Sequence, residues 1–490
     1  MNKPLRRIAL FCGLLVLALL LRDNWLQYVQ ADDLRTDPKN RRVTIERYAT
    51  PRGDIIVDGN PITGSTKSAS SDFEYKRSYK NGPMWAPVTG YVSQAFGASQ
   101  LENLNDGILT GNDDRLFFRN TLDMITGKKK QGGNVVTTLS AAAQKAAFQG
   151  LGDKKGAVAA IDPKTGAILA LASTPSYDPS SFAGNTNTDS KAWNKLQKKN
   201  DPDDPMLNRA LRETYPPGST FKVVTAAAAL ENGLVPDADT KTDSPDPWTM
   251  PGTTTKLPNE GNLPCKNADL RTALQVSCNT VFGKIGSDLG NDKMLEEAKK
   301  FGFGTEQFTP VRSSASVFSD DMNPSQTALS SIGQYNTAAT PLQMAMVASA
   351  VANDGALMKP YMVSELSTHN LDVIEHTDPE KLSQPLSEKN AQVLQSMMET
   401  VIKPGGTGTR AAIPGYTVGG KTGTAQHGID NSEKPYAWFI SYAKLPDGSS
   451  PVAVAVVVED GSANRDDISG GGLAAPIARD VMKAVIDSKK

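Results

Sequence analysis

The chain opens on an unbroken apolar run from Ile8 to Leu21, and the pattern changes sharply after it. From about Asp32 to Leu151 the sequence is polar and interrupted by Gly and Pro. Its β-type pieces are short, as in Arg42-Val43-Thr44-Ile45 and Gly53-Asp54-Ile55-Ile56-Val57. Val135-Val136-Thr137-Thr138-Leu139 then leads to a helix through Ala141 to Leu151, expected to connect this module to the next. Two runs follow, Gly156 to Asp162 and Ala167 to Ala172, that are apolar almost throughout and so predict strands buried on both faces. Lys164-Thr165-Gly166 between them reads as a hairpin turn. The middle of the chain is helical, and its segment Val223 to Leu230 is apolar nearly all round, which predicts a buried helix. β-rich runs return at Tyr416 to Ala425, Ala437 to Ala443 and Val452 to Val458, ahead of a last helix from about Leu473 to Ile486.

Strands at both ends of a helical middle imply one sheet covered by helices, an α/β sandwich. A chain of 490 residues is long for one core and fits a large domain plus a smaller one. The expected division is an N-terminal segment 1–31, a module 32–151 without a catalytic constellation, and a larger domain 152–490.

Charge is nearly balanced, 52 basic against 53 acidic residues, which gives no footprint for nucleic acid. The N-terminus is the exception. Lys3, Arg6 and Arg7 precede the apolar run, which is shorter than the about 20 residues of a full span and suits a signal sequence. No small-residue cleavage site follows closely, since Val29-Gln30-Ala31 lies too far downstream. Arg22 can snorkel, and Trp25 through Val29 can carry the helix through the interface. An uncleaved signal anchor is the expectation, with the basic tail in the cytoplasm and the rest of the chain outside.

An oxidising compartment bears on the three cysteines. Cys12 lies in the apolar run, which leaves Cys265 and Cys278 either bridged or as two reduced, half-buried thiols. A bridge would be worth about 3 kcal/mol in the chain-entropy model. The histidines His369, His376 and His427 do not suggest a metal site, and His427 reads as a loop residue. The tryptophans read as packing, although Trp438, on the strand after Lys421, can line a cleft.

Chemistry concentrates at Ser219-Thr220-Phe221-Lys222, which follows Tyr215-Pro216-Pro217-Gly218. Serine needs a neighbouring base to be a nucleophile, and a lysine three residues on shares its helix face. The prolines and Gly218 put Ser219 at a helix N-terminus, where free N–H groups favour developing negative charge. The spacing alone is common: Ser441 and Lys444 repeat it in a β-rich run, where i and i+3 point to opposite faces. What singles out the first copy is the order. Ser277-Cys278-Asn279 follows it, and Lys421-Thr422-Gly423-Thr424 comes later on a strand. Taken alone, the second element is a turn or helix cap. Ser462-Ala463-Asn464 and Lys164-Thr165-Gly166 copy the second and third elements out of order.

In that order the three motifs resemble those of the penicillin-binding proteins and serine β-lactamases. Asn208-Arg209-Ala210, Ile332-Gly333-Gln334, Thr340-Pro341-Leu342-Gln343-Met344-Ala345 and Gly406-Thr407-Gly408-Thr409 look like the transpeptidases of that group. Arg52-Gly53-Asp54-Ile55 resembles the opening of the class B, monofunctional transpeptidases. The resemblance covers nearly the whole chain. It implies helices around a mainly antiparallel sheet, with 32–151 as a non-catalytic pedestal.

It further implies that Ser219 attacks a stem peptide ending in D-Ala-D-Ala, with Lys222 as base and Ser277 as proton relay. Asn279 holds the substrate backbone, a protonated Lys421 with Thr422 and Thr424 binds the terminal carboxylate, and the backbone N–H groups of Ser219 and Thr424 form the oxyanion hole. Gly423 leaves room for substrate along the strand edge. A free lysine titrates near about 10.4, so burial and the second cation at Lys421 must hold Lys222 neutral. No cofactor is needed. β-Lactams would acylate Ser219, and a membrane-embedded glycan polymerase and division or elongation proteins would be partners. A D,D-carboxypeptidase, a β-lactamase and a β-lactam-responsive scaffold use the same triplet. No equivalent of the water-activating glutamate of class A β-lactamases is evident in the sequence.

Overall fold

The computed structural model describes residues 3–36, 41–68, 72–116, 131–428, 431–459 and 468–489. Its largest sheet has five strands: β1 (Lys155–Ile161), β2 (Ile168–Thr174), β3 (Thr417–Ala425), β4 (Tyr436–Lys444) and β5 (Val452–Glu459). They lie in the order β3-β4-β5-β1-β2, every neighbouring pair antiparallel. The alternation of side chains explains why these strands are apolar throughout. Val158, Ala160, Val454, Val456 and Val458 face one layer, while Ala157, Ala159, Ala453, Ala455 and Val457 face the other.

The first layer is α2 (Ala141–Leu151) packed with the closing helix Ala475–Ser488, which a single π turn, Gly470–Ala474, precedes. The helix expected to connect the modules is therefore part of the sandwich, through buried Ala143, Ala147 and Leu151. The second layer is thicker. Helix Pro341–Ala352, buried along almost its whole length, lies on the sheet. Helix α3 (Lys222–Glu231), which follows directly on Ser219-Thr220-Phe221, packs among helices Asn279–Leu289, Asn291–Lys300 and Glu388–Thr400.

In the first module Arg41–Arg47 is helical, against the expected strand. Arg42 and Glu46 stand at helical i, i+4 spacing, which supports a helix despite Val43 and Ile45. Ile55–Val57 is a strand as expected and pairs parallel with Asn134–Thr137. That second strand pairs in turn with Val363–Ser367, and Val363–Ser367 with Val373–His376. One sheet thus takes strands from both modules. Beside it lies a buried charge cluster: Glu102 accepts from Arg52 Nε at 2.7 Å and Arg77 Nε at 2.6 Å, and Arg52 reaches Asp106 at 2.6 Å. The N-terminal helix α1 (Lys3–Tyr28) is long and apolar enough to cross a membrane.

Candidate active site

Ser219 sits in a 3₁₀ turn, Gly218–Phe221, that runs straight into α3 at Lys222. The turn is held from three directions. Tyr215 exchanges both backbone hydrogen bonds with Ala339, the Gly218 N–H donates to Gly333 O at 2.9 Å, and Thr220 Oγ1 donates to Pro217 O at 2.7 Å. Gly333 has φ of +75°, and a Cβ there would fall 2.0 Å from Gly218 O, so only glycine admits this approach. Below the turn, buried Phe221 packs on Phe303 and Phe318.

Lys222 is wholly buried. Its amine donates to Ser277 O at 2.8 Å and Asn279 Oδ1 at 2.7 Å, and lies 3.2 Å from Ser277 Oγ. The first two partners accept only, so a neutral amine spends both hydrogens on them and keeps its lone pair for a hydroxyl. Burial, then the neighbouring Lys421, pushes Lys222 well below the ordinary lysine range, with the Glu260 carboxylate opposing. Lys421 Nζ donates to Ser277 Oγ at 2.9 Å and Thr422 O at 2.8 Å. Ser277 Oγ thus stands between two amines. Its residue adopts φ 68°, ψ 46°, the left-handed region, where helix Leu270–Val276 gives way to Asn279–Leu289.

Burial brings Lys421 down to about 7, again against the pull of Glu260. An anionic ligand in the cleft would raise it again and favour the protonated lysine expected there. Gly423 is hemmed in by the protein itself. A Cβ there would meet Pro217 O at 2.9 Å, Thr220 Cγ2 at 3.0 Å and Trp438 Cβ at 3.1 Å, so the glycine lets the edge strand β3 close on the serine turn. Trp438 does not line the cleft. It is fully buried and donates from its indole to Pro216 O at 3.1 Å. His427 is a loop residue as expected and stacks on Tyr436.

Ser219, Ser277, Thr422 and Thr424 line one cleft of about 300 Å³, with Lys222 and Lys421 buried beside it. Asn279 stands at its edge, where its amide nitrogen donates to Pro258 O at 3.2 Å. Cys265 and Cys278 form a disulfide that ties the loop ahead of helix Leu270–Val276 to the middle of the second motif. The out-of-order copies behave as expected where they are described: Ser441 is buried on β4, and Lys164 lies in the turn from β1 to β2. Ser462-Ala463-Asn464 lies outside the described residues.

Four residues of the site escape sequence reasoning. Thr407 Oγ1 hydrogen-bonds Thr422 Oγ1 at 2.6 Å, and Thr407, Ser469 and the exposed Glu260 all line the cleft. Asn259 Oδ1 accepts from the N–H groups of Asn279 and Thr280 at 2.6 and 3.1 Å, capping the helix that carries Asn279. Only the Gly406-Thr407-Gly408-Thr409 resemblance hinted at any of them. A second hollow, about 280 Å³ and lined by Phe308, Tyr361 and Glu380, contains none of the motif residues.

A family model of the penicillin binding protein transpeptidase domain matches residues 156–483, and one of the penicillin binding protein A dimerisation domain matches residues 52–135. The sequence is 40% identical to the peptidoglycan D,D-transpeptidase PbpA of Mycolicibacterium smegmatis over 99% of both chains. It is 39% identical to PbpA of Mycobacterium tuberculosis over 100% of both. The ceftriaxone acyl-enzyme of M. tuberculosis penicillin-binding protein A superposes with a TM-score of 0.84 at 38% identity, covering 90% of this chain and 100% of that one. Its penicillin G acyl-enzyme gives 0.82 at 38%, covering 89% and 100%. With its three motifs gathered on one cleft and relatives matched from end to end, this chain belongs to the transpeptidase family of penicillin-binding proteins.

Proposed function

We propose that this protein is a membrane-anchored peptidoglycan D,D-transpeptidase that cross-links stem peptides through an acyl-enzyme on Ser219 and is blocked covalently by β-lactams. The observation that carries it is the buried amine pair around Ser277, beside a nucleophile at the start of a helix.

Neutral Lys222 takes the Ser219 proton as Oγ attacks the carbonyl carbon of the penultimate D-alanine. Ser277 passes a proton from this pair to the departing amine, so the C–N bond breaks as the ester forms. The backbone N–H groups of Ser219 and Thr424 hold the oxyanion, and removing one such donor costs about 10²- to 10³-fold in rate. Thr422 and Thr424 bind the terminal carboxylate, whose charge holds the proton on Lys421 that burial alone would release. Asn279 gives up Pro258 O to hold substrate.

Relatives carrying the same domains bear the name D,D-transpeptidase, which supports transfer to an amine over hydrolysis. The basic residues Lys3, Arg6 and Arg7 in the first turns of α1, ahead of its apolar run, support a cytoplasmic N-terminus and an extracytoplasmic catalytic domain. The dimerisation-domain match, and a sequence free of the three catalytic motifs, support a pedestal role for the first module. A membrane-embedded glycan polymerase and division or elongation proteins belong to the proposal as partners. We keep the division at 1–31, 32–151 and 152–490, except that the packing of α2 in the sandwich argues for moving the second boundary ahead of that helix.

The test is the intact mass of the full-length protein in detergent after incubation with benzylpenicillin, beside Ser219→Ala. A persistent one-to-one adduct lost in the variant is the expected result. No adduct on the folded wild type would sink the reading, and a transient adduct with hydrolysed drug would make the protein a β-lactamase.

A further inference from the structure

Glu260 is the single charged side chain among the described residues that line the cleft. It is exposed, and its negative charge acts on both buried amines, Lys222 and Lys421. Its backbone is not free to drift. Asn259 beside it accepts from Asn279 N and Thr280 N and donates to Thr280 Oγ1 at 2.9 Å, and Pro258 O accepts from Asn279 Nδ2. The chain just ahead of Glu260 is thus anchored to the motif that holds Ser277, and its exposed side chain projects from that anchored segment. The hydroxyl-bearing Thr422, Thr407 and Ser469 in the same lining suit a carboxylate.

The second half of the proposed reaction poses a proton problem that the three motifs do not solve. An acceptor amine arrives as an ammonium and ends as an amide, so its nitrogen sheds two protons. One returns to Ser219 Oγ as the N–C bond forms and the C–Oγ bond breaks, through Ser277 and Lys222. The other must leave the cleft before attack, because an ammonium has no lone pair. A cation also has to enter beside two lysines.

Resting on the transpeptidase reading above, we propose that Glu260 binds the incoming acceptor ammonium at the cleft mouth and takes the proton it sheds, making it the residue that selects an amine over water. The carboxylate offsets the repulsion of the lysines, accepts one proton to become a neutral acid, and releases it to solvent from its exposed position. Water gains nothing from the ionic contact.

The partition of one acyl-enzyme between amide and free acid tests this, because that ratio does not depend on how fast the acyl-enzyme forms. The full-length protein in detergent is given an acyl-D-alanyl thioester as donor and D-alanine as acceptor. In Glu260→Gln the amide-to-acid ratio falls about 10²-fold, the scale of a lost general base, while Glu260→Asp recovers most of it. The residual aminolysis in the Gln variant rises about tenfold per pH unit, following free amine, where the wild type rises less steeply. An unchanged ratio and pH profile in Glu260→Gln overturns the proposal. So does a selective loss of free acid, which would make Glu260 a base for water. Wild type that reacts with neither thioester nor benzylpenicillin overturns the transpeptidase reading itself, and the proposal with it.

Discussion

Lys421 carries a charge that the fold does little to favour. Burial brings it to about 7, and among the described residues its acceptors are a hydroxyl and a carbonyl. Acylation by benzylpenicillin therefore has two limbs in pH. The rate falls on the acid side as Lys222 gains a proton and on the alkaline side, from near neutrality, as free Lys421 loses one. Lys421→Arg keeps its charge throughout, so the alkaline limb disappears whatever the absolute rate; second-order rate constants from about pH 5 to 10 decide it. An alkaline limb that survives in the arginine variant assigns it elsewhere. Folding stability responds to the same groups. Both lysines titrate lower folded than unfolded, so the unfolded chain binds more protons up to the ordinary value of 10.5, and stability rises with pH over that range. At this scale the sequence was informative where reaction chemistry dictates residue types at short spacing, as in Ser219 and Lys222. It was silent on Glu260 and Asn259, which reach the site from a loop whose only signature is its folded position.

The serine turn, the loop at Gly333 and the edge strand β3 form one unit through glycine approaches. Gly333→Ala would place a methyl group 2.0 Å from Gly218 O in a left-handed backbone, so it costs more than about 2 kcal/mol and slows acylation beyond what the lower unfolding temperature explains. Thermal unfolding and the acylation rate, measured together, check it. A stable variant that acylates normally would show that the turn is set from elsewhere. The elements themselves were largely legible. β1, β2, β4 and β5 are apolar on both faces because helices cover both, and a run of that kind has few other uses. The same reasoning misread Arg42–Ile45, where β-branched residues suggested a strand but charges at i, i+4 spacing accompany a helix. Gly423 was legible as a position without room for a side chain, but the close approach of the protein's own turn there was not.

Across the whole molecule, the buried cluster around Glu102 holds the first module together. Desolvation raises this carboxyl, but Arg77 and Arg52 more than reverse it, leaving it below the usual glutamate range. Its contribution is present above the unfolded value of 4.5 and is lost as pH falls through the lower folded one. Glu102→Ala leaves two buried guanidiniums without their shared partner and destabilises by about 3–5 kcal/mol, measurable by denaturant unfolding. A loss under about 1 kcal/mol would mean that Asp54 and Asp106 suffice. The order of the three motifs foretold the catalytic domain, but nothing in local pattern foretold that Val363–Ser367 would join Asn134–Thr137, because strand pairing across such separation leaves no local mark. That shared sheet has a consequence for anyone recombining such proteins. A chimera cut between the modules and fitted with a foreign pedestal severs a continuous hydrogen-bond ladder, whereas a graft that carries residues 363–376 along with the pedestal keeps its native seam.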